Sequence, residues 1–420
     1  MNTSAPTQPG FAATDAELDA VQDSVRRFIG TQVEPAMAQF EAQGRFPREI
    51  VRAMGDAGFF GSAFPERLGG SELGFTAVAV IAEEISRLRP EFGYCMNLQA
   101  MTCPFTILNW GSEIQVERFV ADLIGGRKIG MFALSESGGG SDAAGAMKTV
   151  AVRRGDRYLL NGSKMWITFA NECDAGLLFA KTDPAAGHRG ITAFIVEPRA
   201  VAGFRADPLE LHGLSQSLRT CAVFLDDFAV PIENRLGQEG AGFKIAMNAL
   251  DYGRLTVSAR LTGLAQACFE SATAYARERV VGGSALGLYQ MIQRDIADMA
   301  VNVSAARLMV RHAAGLMDRG LPATRAVSHA KYFASLAAKH AAQRTSEIFG
   351  GYALATEYRI GTLSAYINML NVGEGAPNVQ RVLIAEDALG YKDANRHGIL
   401  PWKFREPASG VRGANARSTG

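Results

Sequence analysis

The hydrophobic period of this 420-residue chain changes twice, and that double change restricts its fold more than any single residue does. Thr-Asp-Ala-Glu at 14–17 is a capping box, followed by Leu18, Val21, Val25, Phe28 and Ile29 at helical spacing. Helical patterns recur at 46–60, 76–88 and 107–123, with Pro-Glu-Arg-Leu-Gly-Gly at 65–70 turning the chain between them. The pattern then changes. Segments 128–134, 149–153, 158–161, 164–168, 176–181, 191–197 and 221–230 are short runs rich in aromatic and β-branched residues, separated by Gly-Asp, Asn-Gly and Asp-Pro. From Gly242 the helical period returns. Leu288, Ile292, Ile296, Met299, Val303 and Val310 mark one long helix, and 323–349 another. The order predicts an α+β fold: an N-terminal α-helical domain (1–125), a middle antiparallel β-barrel or sandwich domain (126–238) and a C-terminal four-helix-bundle domain (239–395). The remainder, 396–420, is too poor in apolar residues to pack and is expected to be a flexible tail.

With 43 basic and 42 acidic residues the net charge is +1, so no global field draws nucleic acid or an anionic membrane. No segment reaches the ~20 apolar residues of a membrane span, and the first residues lack the basic start and apolar run of a signal peptide. These features point to a cytoplasmic protein. Five cysteines (Cys95, Cys103, Cys173, Cys221, Cys268) form no CxxC pair, and the six histidines show no i,i+4 pair, so neither a disulfide framework nor a metal site is expected. The chain lacks a GxSxG elbow, a GxxxxGK[ST] loop and a GxGxxG after a strand, which argues against nucleophilic hydrolysis, P-loop chemistry and Rossmann-type dinucleotide binding.

In Asn-Val-Gly-Glu-Gly-Ala-Pro-Asn-Val-Gln-Arg at 371–381, a lone carboxylate, Glu374, lies between two glycines at a chain reversal, with Ile367, Met369, Leu370 and Val372 ahead of it. This placement suits a working base and also suits a surface loop acid; the stretch alone does not choose. Alternation along 164–168 puts Trp166 and Thr168 on one face, where an indole and a hydroxyl meet a planar ring, or else sends Trp166 into the core and Thr168 to solvent. Gly138, Gly139 and Gly140 followed by Ser141 form a donor-rich turn suited to a pantetheine or phosphate-bearing ligand. Arg254 is either a ligand contact or the ion-pair partner of Asp251.

Ala-Leu-Ser-Glu-Ser-Gly-Gly-Gly-Ser-Asp at 133–142 is similar to a signature of the flavin-dependent acyl-CoA dehydrogenases, and Asn-Gly-Ser-Lys-Met-Trp-Ile-Thr at 161–168 resembles their second β-domain motif. Further similar stretches are Pro-Ile-Glu-Asn-Arg-Leu-Gly at 231–237, Leu-Asp-Tyr-Gly-Arg at 250–254, Ile-Phe-Gly-Gly at 348–351, Glu-Gly at 374–375 and Val-Gln-Arg at 379–381, all in family order over roughly 14–392. The resemblance implies an FAD enzyme that makes a trans-2-enoyl thioester from an acyl-CoA. Glu374 would take the α-proton and flavin N5 the β-hydride, while the Glu374 backbone N–H and a flavin hydroxyl stabilise the thioester oxygen. It places Trp166 against the isoalloxazine and Thr168 near N5, with Phe132, Leu134 and Ser135 lining the ring. Arg279, Gln290, Glu347, Gly351, Ala376 and Asn378 fall at other FAD-handling positions, and Ser141, Asp251, Arg254 and Gly375 at substrate-binding ones. Some branches carry the acid on the earlier helix, at the position that is Gly253 here.

The chain departs from the pattern where relatives hold the ADP half of FAD. Arg-x-x-Phe-Gly becomes Arg-Val-Val-Gly-Gly at 279–283, Glu347 replaces a glutamine, Ala376 a threonine, and Ala365 and Tyr366 an Arg-Asp pair. Ser215 stands where an arginine is common. Implied partners are an acyl-CoA, an electron-transferring flavoprotein as acceptor, and further copies of the chain in a homotetramer or homodimer. The alternatives are an acyl-carrier-protein thioester as substrate, a flavin oxidase or monooxygenase, and a cofactor-free binding protein on the same fold.

Overall fold

The computed structural model describes residue 11 and residues 13–395; the expected tail at 396–420 lies outside them. Seven helices come first: α1 (Asp15–Phe28), α2 (Glu34–Gln43), α3 (Arg48–Asp56), α4 (Gly74–Leu88), the single turn α5 (Gly93–Cys95), α6 (Pro104–Trp110) and α7 (Glu113–Ile124). Capping boxes start two of them. At α1 the Thr14 hydroxyl accepts from Glu17 N while Glu17 accepts from Thr14 N, and Ser112 and Gln115 do the same at α7. Between α5 and α6 the chain winds as a π-helix, Met96–Met101, buried throughout.

Eight strands follow: β1 (Phe132–Ala133), β2 (Val150–Arg154), β3 (Arg157–Thr168), β4 (Gly176–Lys181), β5 (Ile191–Val196), β6 (Phe204–Pro208), β7 (Thr220–Pro231) and β8 (Arg235–Leu236). They form one sheet in the order β6-β7-β3-β2-β4-β5-β8, with β1 beside β4. The pairings are antiparallel except β1/β4 and the single contact of β2 with β4 through Val150 and Lys181. Gly155 and Asp156 close the two-residue β2/β3 turn with Gly155 at φ 62°, the left-handed value such turns require.

A short hairpin, β9 (Val280–Val281) with β10 (Ser284–Ala285), interrupts the C-terminal helices α8 (Gly242–Glu278), α9 (Gln290–Asp318), α10 (Thr324–Phe349), α11 (Ile360–Val372) and α12 (Pro377–Ala388). The 37-residue α8 packs on α9, α10 and α11, and also on α4 of the N-terminal unit. The two helical units therefore share one apolar core, in which α4 contributes Phe75, Val78, Ile81 and Ile85, and α8 contributes Leu255, Leu261 and Leu264. Strands β4 and β5 read as continuous apolar runs because both their faces are covered. Leu177, Phe179, Ala193 and Ile195 join the helical core, while Leu178, Ala180, Phe194 and Val196 join a second core inside the β unit. Among the described residues no helix is long and apolar enough to cross a membrane, and no group of three His, Cys, Asp or Glu is arranged to hold a metal.

Candidate active site

Residues 373–376 link α11 to α12, and in this link Glu374 takes φ 55°, a left-handed conformation unusual for a residue with a side chain. Contacts on both sides hold it. Arg254 Nε donates to the Glu374 carbonyl at 3.1 Å. Gly375 follows at φ 98°, where an added Cβ would stand 2.5 Å from Gln380 Nε2. Arg254 also donates through Nη1 to Asp251 at 2.9 Å, and the second Asp251 oxygen accepts from the Thr324 hydroxyl at 2.7 Å. Of the two readings of Arg254, the structure shows the internal ion pair, buried and braced against the link. Lys331 of α10, 0 % exposed, donates to the carbonyl of Asn371 at 2.7 Å and ties down the end of α11.

The Glu374 carboxylate faces inward. Its Oε1 accepts from Asn97 Nδ2 at 2.9 Å, while Oε2 is shielded from solvent and has no hydrogen-bond partner. Asn97 comes from the π-helical turn and is itself fixed by the Thr256 hydroxyl, which donates to its Oδ1. Burial pushes the Glu374 carboxyl up to about 7, against the opposing pull of Arg254, Lys331 and Arg260 and the Asn97 hydrogen bond. Gly253 of α8 faces this carboxylate directly: a Cβ there would lie 2.7 Å from Oε2 and 2.8 Å from Thr102 Cγ2. An acid at 253 and an acid at 374 would thus compete for one point in space.

A second cluster lies on the sheet. Glu136 is buried and accepts from Lys148 N at 2.7 Å, Thr149 N at 3.1 Å and the Thr149 hydroxyl at 2.6 Å, and it forms a 2.8 Å ion pair with Lys164, whose side chain is fully enclosed. This pair pins the 133–142 segment to β3. Lys164 Nζ also donates to the Leu134 carbonyl at 3.2 Å, and Met165 N to the Ser135 carbonyl at 3.0 Å. Phe132 packs on Phe179 with ring centroids 5.1 Å apart. The regular alternation expected at 164–168 is broken, because the register with β7 shifts between Lys164 and Ile167 and Trp166 takes φ 66°. Trp166 is consequently 59 % exposed rather than in the core, and Thr168 pairs with the Thr220 hydroxyl at 3.2 Å. Ser141 is exposed on the glycine turn.

A third group surrounds a cavity of about 540 Å³ that includes Arg279, Glu347 and Gly351 with Tyr275, Phe349 and Tyr352 in its lining. Tyr275 and Phe349 stack at 4.0 Å, and the Arg279 guanidinium lies 5.5 Å from the Tyr352 ring centre. Glu347, an acid that would repel a pyrophosphate if left unpaired, forms an ion pair with Arg344 at 2.7 Å. Gln290 is exposed at the start of α9 and is not among the residues lining that cavity. Ala376 caps α12, and Asn378 Oδ1 accepts from Arg381 at 2.8 Å. Ser215 donates to Glu41 at 2.5 Å and is engaged within the fold.

Sequence reasoning missed Asn97, Lys331 and the Glu136–Lys164 pair. The signal for Asn97 was an amide, one of two with Gln99, in the otherwise apolar run at 95–101; Lys331 looks like any solvated helix lysine until α11 is placed over it.

Models of the acyl-CoA dehydrogenase N-terminal domain, middle domain and C-terminal domain match residues 15–127, 131–228 and 240–389. The glutaryl-CoA dehydrogenase of Desulfococcus multivorans is 39% identical over 384 residues, covering 90% of this chain and 98% of the relative. The caffeyl-CoA reductase-Etf complex subunit CarC of Acetobacterium woodii is 37% identical over 367 residues, covering 87% and 95%. A solved glutaryl-coenzyme A dehydrogenase in complex with glutaryl-CoA superposes with a TM-score of 0.87 at 38% identity, covering 92% of this chain and 98% of that one.

Proposed function

The chain belongs to the acyl-CoA dehydrogenase family of oxidoreductases, and from that premise we propose that it oxidises an acyl-CoA across its α and β carbons with Glu374 as the base. The observation that carries this reading is the shielded, unpartnered Oε2 of a carboxylate raised to about 7. A group that ionises near neutral pH, and whose free oxygen no protein donor has claimed, is suited to remove a weakly acidic proton. Asn97 on Oε1 leaves Oε2 to receive the α-proton, and the strained link held by Arg254 and Lys331 fixes where that oxygen points. The main-chain N–H of Glu374 is proposed to donate to the thioester oxygen, where negative charge builds.

FAD is the proposed cofactor, and the residues fit it. An exposed Trp166 held at positive φ offers a flat face beside Ser135 and Thr168, while Arg279 and three aromatic rings border a cavity suited to an anionic, aromatic group. Bound FAD supplies the oxidising chemistry by accepting the hydrogen of the β-carbon. On this reading Arg279, in the lining of that cavity, reaches the FAD of a neighbouring subunit, as the family resemblance implies. A homo-oligomer follows from that reading, with an electron-transferring flavoprotein as acceptor. The test is single-turnover reduction of the FAD-loaded protein by an acyl-CoA: rapid bleaching that E374Q slows by at least about 10³-fold supports the base, and equal rates refute it.

A further inference from the structure

Arg260 sits on α8 seven residues after Gly253, so about 10 Å further along the axis and on the same face. It is 1 % exposed. No carboxylate among the described residues pairs with it, and its Nε and Nη2 are buried without any hydrogen-bond partner. Burial lowers its pKa to about 10. The Tyr94 ring lies 5.1 Å from its Cζ and covers one face of the guanidinium, but a ring face satisfies none of the in-plane N–H groups. Space has been made for it: a Cβ on Gly93 would collide with Arg260 Nε and with Ser86 Oγ, itself a buried hydroxyl lacking a partner. Glu374 cannot serve as the missing anion, since Oε1 is held by Asn97 and Oε2 bonds to nothing. A buried guanidinium left in this state is costly unless an anion arrives to meet it.

Helical side chains lean toward the helix N-terminus, which for Arg260 is toward Gly253 and the base. Accepting the proposed role of Glu374, the acyl chain runs from its α-carbon at Oε2 along this face of α8 toward Arg260. We propose that Arg260, with Ser86 beside it, binds a carboxylate at the far end of the acyl chain, so that the substrate is a short dicarboxylic acyl thioester rather than a simple fatty acyl one. Two in-plane N–H donors and a hydroxyl match the two oxygens of a carboxylate, and an uncharged methyl end would leave all three buried and unmet.

The test compares glutaryl-CoA with valeryl-CoA, equal in chain length and differing in the terminal carboxylate, on FAD-loaded wild type, R260M and R260K. The expected wild-type kcat/KM favours glutaryl-CoA on the order of 100-fold, R260M collapses that ratio mainly through the KM for glutaryl-CoA, and R260K restores part of it. Thermal melting supplies a readout independent of turnover: glutaryl-CoA should raise the wild-type Tm more than valeryl-CoA, and the difference should vanish in R260M. A wild type that prefers valeryl-CoA, or a ratio and Tm difference unchanged in R260M, overturns the assignment and leaves Arg260 as a packing partner of Tyr94. Should R260M fail to fold, the wild-type comparison and R260K still decide. If neither thioester bleaches the flavin, the base reading fails, and the melting arm still reads Arg260.

Discussion

Replacing Glu374 by glutamine should stabilise the fold, and the gain should grow with pH. Burial raises the carboxyl from an ordinary 4.5 to about 7, so between those values the folded chain keeps a proton that the unfolded chain has released. The stability associated with this group is fully present below about pH 4.5 and is lost as pH rises through 7. At 1.36 kcal/mol per pH unit the loss is about 3 kcal/mol. Glutamine does not ionise and escapes it. Urea unfolding of both proteins, with FAD in constant excess, at about pH 4.5, 6 and 8.5 isolates the effect, since every other titrating group is shared and cancels in the difference. E374Q should gain about 3 kcal/mol on wild type across that range. A difference that stays flat, or that shifts toward wild type as pH rises, would mean that Glu374 is solvated and ionised throughout, and the argument from burial would fall.

Three further substitutions probe the surroundings. Asn97→Leu removes the donor that stabilises the ionised carboxylate, so the acid limb of kcat/KM should move up by about one pH unit or more, with activity recovered at high pH; an unmoved limb would place the control elsewhere. Gly253→Ala pushes a methyl against Oε2 and should lower kcat by about 10- to 100-fold while stability changes by no more than about 2 kcal/mol, because helix propensity and crowding oppose each other. Lys164→Met leaves Glu136 buried and unpaired, costing about 3–5 kcal/mol in unfolding experiments. Adding Glu136→Leu should recover much of that loss, and no recovery would show that packing rather than charge was lost.

The order of helices, strands and helices was legible because amphipathic period is a local property, and it held through the capping box at 14–17 and the β2/β3 turn, while the second box at Ser112 and Gln115 was not read from the sequence. Glu374 was visible as a lone acid between glycines, but the stretch did not choose between a working base and a surface acid, because the burial that separates them comes from Asn97 of the π-helical turn and Gly253 of α8. What the sequence left open or hidden shares a cause. At Trp166 a register shift and a positive φ depend on how β3 meets β7, which alternation along one strand cannot reveal. Lys331, Lys164 and Arg260 carry charges that sequence reasoning sends to solvent, and only the packing of α11 on α10, of the 133–142 segment on β3, and of the α4–α5 region on α8 encloses them. The shared core of the two helical units was hidden for the same reason, because α4 and α8 meet across more than 150 residues of chain.

The most direct test of the account is anaerobic: the visible spectrum of FAD-loaded protein is followed as glutaryl-CoA and valeryl-CoA are each added to wild type and to E374Q. Bleaching of the long-wavelength flavin band in wild type but not in E374Q is the predicted result. Bleaching of both proteins at equal rates, or of neither with any acyl thioester, would contradict the claim that Glu374 removes the α-proton.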